Sequence, residues 1–271
     1  MHRHFRSPSR WTWVLPVIGT AFVVACDTSL QDISPQGTWG FVTVSAQKSA
    51  AGAHFAKAEG LFFKGNLSAV PNADFTSDTC ADVLFQEGNN LVGVTYLDAG
   101  PSVSATVGGV ANSLDRTTTP DGIAYRPASS FAFTPGDSIV VSVPGVSGGF
   151  PAGTIRAKTA EAFDFPTNIN VPAGTEAIHL NWTPPQDPRS SIVVSLRYAT
   201  ASNPAVQTRN VLCTFVDDGV DSIPFRWHQN WSTSSGVRSV VATRLRTNYV
   251  AAGEGNLGVI STYQVPTPPR P

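Results

Sequence analysis

Apolar and polar residues alternate most cleanly over residues 101–107, where Val103, Ala105 and Val107 fall on one face and Ser102, Ser104 and Thr106 on the other. A period of two marks a half-buried strand, because successive side chains of extended backbone point to opposite faces. Residues 176–183 read the same way, with Ile178, Leu180 and Trp182 set against Ala177, His179 and Asn181. Turn formers bracket both runs: Asp98-Ala99-Gly100 and Gly108-Gly109 around the first, Pro172-Ala173-Gly174 and Pro184-Pro185 around the second. Further strands are predicted at 38–45, 61–63, 81–85, 122–126 and 138–143, then at 191–198, 208–216, 237–246 and 257–265. Residues 50–60 are rich in alanine and have a helical flavour, although no apolar stripe repeats along them. Residues 71–78 read as a loop leading to Cys80, and Gly145 to Gly153 as one too rich in glycine for regular structure.

Composition supports an all-β chain. Glycine and proline number 23 and 21 in 271 residues, which suits short strands joined by many turns. Charged residues make up 14%, well below the ~25% of an average soluble domain. A turn at Phe165-Pro166 suggests a boundary, so the expected architecture is two β-sandwich domains, 38–165 and 166–266, followed by a proline-rich tail at 267–271. The number and spacing of strands over roughly 168–266, with Trp182 in an early strand, resemble an immunoglobulin or fibronectin type III sandwich. The resemblance implies an Ig-like fold for that half and carries no activity.

The first 25 residues follow another logic. Arg3, Arg6 and Arg10 precede a mostly apolar run over 11–24, which ends in Val23-Val24-Ala25-Cys26. A basic segment, an apolar core and small residues at the cut make a secretory signal, and the run is shorter than the ~20 residues a spanning helix needs. The tetrapeptide resembles the lipobox of bacterial lipoproteins, with Val23 standing where leucine is usual. That resemblance implies cleavage of 1–25, lipidation of Cys26 and a tether over 26–37. The membrane is then a partner through the anchor and the cell envelope the expected location, with the membrane and leaflet left open. Without the three leader arginines, 15 basic residues (18 less 3) face 19 acidic ones, and no basic run occurs, which argues against nucleic-acid binding.

Of three cysteines one is thereby assigned to lipid, leaving Cys80 and Cys213. An even number in an exported chain is expected to pair, tying the two halves together. The alternative is a small buried Cys213 and a free thiol at Cys80.

Four other motifs bear on chemistry. Gly253-Glu254-Gly255-Asn256-Leu257-Gly258 has the letters of a dinucleotide fingerprint, but a strand-like run follows where a helix is required, so it reads as a hairpin turn. Ser45-Ala46-Gln47-Lys48 has the letters of a penicillin-recognising nucleophile but lacks both partner triplets. Asp217, Asp218 and Asp221 could offer oxygens to calcium, yet lack the twelve-residue loop spacing, and Asp-Gly is a common turn pair. Trp227-His228-Gln229-Asn230-Trp231 reads two ways: Trp227, His228 and Trp231 as a ligand platform that stacks on sugar rings, or the tryptophans as the cover of an open sandwich end. His54, His179 and His228 lack zinc-ligand spacing, and no cofactor is implied. The chain is expected to be a non-catalytic structural or binding module, its partner an envelope protein or glycan. A carbohydrate-binding or carbohydrate-active protein is the first alternative. A hydrolase whose site assembles only in space is the second.

Overall fold

The computed structural model describes residues 36–66, 78–84, 93–119, 122–166 and 169–266; the leader, Cys26, the tether and the tail lie outside them. Two long hairpins form the centre. The first joins β1 (Gln36–Lys48) to β2 (His54–Asn66), and the second joins β15 (Arg238–Ala252) to β16 (Gly255–Pro266). β1 and β16 then run parallel, with Val42 beside Val259 and Val44 beside Ser261. The second hairpin turns at Gly253, whose φ of +55° lies in the left-handed region that glycine enters at little cost. Both ends of the fingerprint-like stretch are therefore used as strand and turn.

On the β2 side the sheet continues through β7 (Gly122–Arg126), β6 (Val110–Thr119), β5 (Ser102–Val107), β9 (Ser138–Val143) and β10 (Gly153–Lys158). On the β15 side it continues through β12 (Ser191–Ala199), β13 (Gln207–Val216) and β3 (Thr79–Leu84). Two short strands, β4 (Thr95–Tyr96) and β8 (Phe131–Ala132), add to β2. A separate pair, β11 (Ile178–Asn181) with β14 (Val220–Ile223), and one helix, α1 (Phe225–Ser232), complete the described elements. The sheet folds over, so that β10 packs on β15 and β16 and the arrangement is sandwich-like. No helix among the described residues is long and apolar enough to cross a membrane.

Alternation puts one face of each strand into a shared interior. In β5 it is Val103, Ala105 and Val107, as the sequence pattern requires, and in β11 it is Ile178 and Leu180. Residues 54–60 are strand rather than helix. Ala56, Ala58 and Phe62 point inward while Lys57 is exposed, so alanine here supplies a small inward side chain and not helix propensity. Small residues are needed because aromatic rings cross the interior: a Cβ at Gly40 would stand 2.6 Å from the Phe62 ring and 2.8 Å from that of Phe150. Phe62, Tyr125 and Phe150 pack edge to face or tilted, with centroids 5.3 and 4.8 Å from Phe62.

The halves expected as separate sandwiches share this sheet. Val103 and Ile139 belong to the same buried cluster as Leu196 and Val211, and Phe165, at the expected boundary, is itself 6% exposed within it. The described residues gather into one compact unit. Phe165-Pro166 lies in irregular chain that does not interrupt the core.

A recess between the helix and the disulfide strand

Pro224 precedes α1 with φ −58°, an angle its ring fixes and the first turn accepts. Inside the helix, positions i and i+3 or i+4 share a face. His228 and Trp231 are both 1% exposed, and each is tied to a different segment. The His228 Nε2–H donates to the Glu176 carbonyl at 3.0 Å, which assigns the ring proton because a carbonyl only accepts; Nδ1 is buried without a partner. The Trp231 Nε1–H donates to the Ser239 carbonyl at 3.3 Å, and the Arg238 guanidinium lies 5.4 Å from the Trp231 ring centre. Arg238 also donates to the Trp231 and Ser232 carbonyls, placing a cation at the helix C-terminus.

Of the two readings of Trp227, His228 and Trp231, ligand platform or cover, burial of His228 and Trp231 fits the cover. Two of the three are core, and the two indoles share no exposed face. Only Trp227 stays half-buried at the surface, with the Arg226 guanidinium 5.4 Å from its ring centre.

Beside Trp227 lies β3. Its register with β13 sets Cys80 directly opposite Cys213, and the two form a disulfide with Cα atoms 4.0 Å apart. The expected pairing holds, but Cys80 sits in a strand, not a loop, and the bond ties an edge strand to its neighbour. Around it, the Thr79 and Thr214 hydroxyls are 3.1 Å apart, and the Asp78 Oδ1 accepts the Val216 N–H at 3.0 Å.

The third wall comes from β14. Of Asp217, Asp218 and Asp221, grouped by sequence as a calcium candidate, Asp217 is drawn away into the core. Asp217 is buried, its oxygens taken by Arg244, Trp182 and Ser190. Asp218 accepts the Val220 N–H in the turn made by Gly219, whose φ is +104°. Asp221 turns outward and accepts the Ser222 N–H at 2.6 Å. No group of three or more His, Cys, Asp or Glu able to hold a metal ion occurs among the described residues. Burial raises the Asp221 carboxyl above its ordinary range, and the like charges of Asp78 and Asp218 and a hydrogen bond to Asp78 act in the same direction, against the Ser222 N–H.

These walls enclose a recess of about 420 Å³. Cys80, Asp221 and Trp227, three residues that sequence reading singled out for three unrelated reasons, line it together. Asp78, Phe215 and Arg226 complete its chemistry, and none of them carried a motif. The carboxyl pair of Asp78 and Asp221 arises from strands far apart in the chain, so no spacing rule could reveal it.

The remaining residues with a chemical reading are dispersed. His54 on β2 holds the Tyr263 hydroxyl at 2.9 Å from its Nδ1 in a second cleft of about 660 Å³, which Lys48 and Asp164 flank. Burial raises the Tyr263 pKa, helped by the Asp164 charge, so the hydroxyl keeps its proton. His179 is exposed on β11. Ser45 and Lys48 lie three residues apart on strand β1, an odd spacing that sends them to opposite faces. Comparison with protein-family models, with curated proteins and with solved structures finds no match at any of the three levels.

Proposed function

We propose that the chain is an exported cell-envelope protein, anchored through a lipidated Cys26, whose all-β body is a non-catalytic binding module. The observation that carries this reading is the Cys80–Cys213 disulfide. Such bonds persist in oxidising compartments and are rare in a reducing cytosol. It agrees with a leader made of Arg3, Arg6 and Arg10, an apolar run and Val23-Val24-Ala25-Cys26. Anchoring by lipid needs more than one acyl chain, since a single chain holds a protein at a membrane only marginally. The recess beside Trp227 is the surface such a body would offer, because it joins an indole to hydrogen-bonding side chains of both polarities.

Mass spectrometry of the protein purified from membranes tests the anchor. A mature N-terminus at Cys26 bearing acyl chains is expected. An unmodified Cys26, or a mature chain beginning elsewhere, refutes it.

A further inference from the structure

We propose that the recess between α1 and β3 binds a saccharide, with Trp227 as the stacking surface and Asp78 and Asp221 as the pair that reads vicinal hydroxyls. The inference rests on the reading of this chain as a binding module and names the ligand class of that site.

A sugar ring presents a flat C–H face and a rim of hydroxyls, each able to donate and to accept. The recess is built in the same two parts. Its apolar portion is the half-buried Trp227 ring with Phe215, Pro224 and the disulfide at Cys80. Its polar portion is Asp78, Asp221, Ser222 and Arg226. The Asp78 and Asp221 carboxyls offer several acceptor oxygens side by side, to which two neighbouring sugar hydroxyls can donate. Arg226 supplies a donor beside the indole, its guanidinium carbon 5.4 Å from the ring centre. The volume, about 420 Å³, lies within the range of small-molecule sites.

A cation is the competing occupant, since two carboxyls and an indole also suit an ammonium group. Arg226 decides against it. Its positive charge lines the recess and offsets part of the carboxyl charge that would draw a cation, whereas a neutral polyol needs no such draw.

The test uses the full mature protein with its disulfide intact, in detergent, titrated with chitobiose, cellobiose and spermidine in a calorimeter. Saturable binding of at least one disaccharide is expected, weakened about tenfold or more in Trp227→Ala. Asp221→Asn, nearly isosteric, weakens the same binding and keeps the test sound if the Trp227 variant unfolds. No saturable response to either disaccharide overturns the proposal, and so does a response unchanged in both variants. Binding of spermidine alone overturns it as well and assigns the recess to cations. Acylation of Cys26 is read independently, so loss of the saccharide site leaves the anchor standing.

Discussion

The deepest electrostatic feature of the fold is the Asp217–Arg244 pair, and its removal gives the largest stability change expected here. Arg244 Nε and Nη2 reach the two Asp217 oxygens at 2.7 and 2.9 Å, a bidentate fork in which both side chains are 1% exposed or less. Asp217 also accepts the Trp182 Nε1–H at 2.8 Å and the Ser190 hydroxyl at 2.7 Å. Nη1 donates to the Ala162 carbonyl, Nη2 also donates to the Thr183 carbonyl, and the guanidinium carbon stands 4.8 Å from the Phe163 ring centre. One ion pair thus joins β13, β15 and the segments around 162 and 183. Asp217→Ala leaves a buried cation without its counter-ion and orphans the Trp182 donor, a lesion worth ~3–5 kcal/mol. In a chain of this size each kcal/mol moves Tm by about 2–4 °C, so a fall of roughly 6–20 °C is expected. Arg244→Met strands the carboxylate in the same way but leaves Trp182 and Ser190 donating to it. The combined Asp217→Ala/Arg244→Met variant removes both charges and costs less than the two single changes added. Urea unfolding of the four proteins, read at the midpoint with the slope checked for constancy, gives the coupling energy directly. Single changes costing under ~1 kcal/mol, or strict additivity, would refute the claim that this pair is buried and mutually dependent.

Two further outcomes follow from other parts of the fold. Reduction of Cys80–Cys213, which closes a loop of 133 positions, removes at most ~5 kcal/mol by loop entropy, and thiol labelling of the unfolded, unreduced mature protein should find no reactive thiol at either position; two reactive thiols would mean no bond. Tyr125→Phe deletes a hydroxyl that accepts the buried Ala99 N–H at 2.7 Å and donates to Asp98 Oδ1 and the Gly100 carbonyl, a loss of about 1–3 kcal/mol near neutral pH. The Gly100 N–H, then Tyr125 and Arg116, hold Asp98 below the ordinary carboxylate range against the opposing effect of burial. A depressed carboxyl contributes stability above its unfolded pKa and loses it as pH falls through its folded value. The stability gap between wild type and Tyr125→Phe should therefore shrink on going from about pH 6 to about pH 2, and a gap independent of pH would exclude the Asp98 linkage.

What the sequence disclosed follows from what a local pattern can encode. Period-two alternation assigns side chains to faces, so 102–107 and 178–181 are strands with the expected residues inward. Alternation fails where the inward residues are small: Ala56 and Ala58 look like helix formers until Phe62 is seen filling the space they leave. α1 escaped notice because eight residues are too few for a periodic stripe to emerge, although Pro224 and the spacing of Trp227 and Trp231 were its signals.

Faces do not name neighbours, and the site depends on neighbours. Nothing in 36–48 specifies that it will run parallel to 255–266, and that pairing, together with β3 on β13, carries one sheet across a boundary that Phe165-Pro166 had suggested. The recess has the same origin. Cys80 and Cys213 could be paired by counting, and once they are, β3 must lie along β13 with Asp78 at its entry. β14 then places Asp221 against that entry through its own pairing with β11, and the chain leaves β14 through Pro224 into the helix that carries Trp227. The disulfide thus positions half of the carboxyl pair, and the turn at Gly219 positions the other half. A ligand that needs both carboxyls and the indole reads three chain segments at once, which is why the chemistry becomes visible only after the fold.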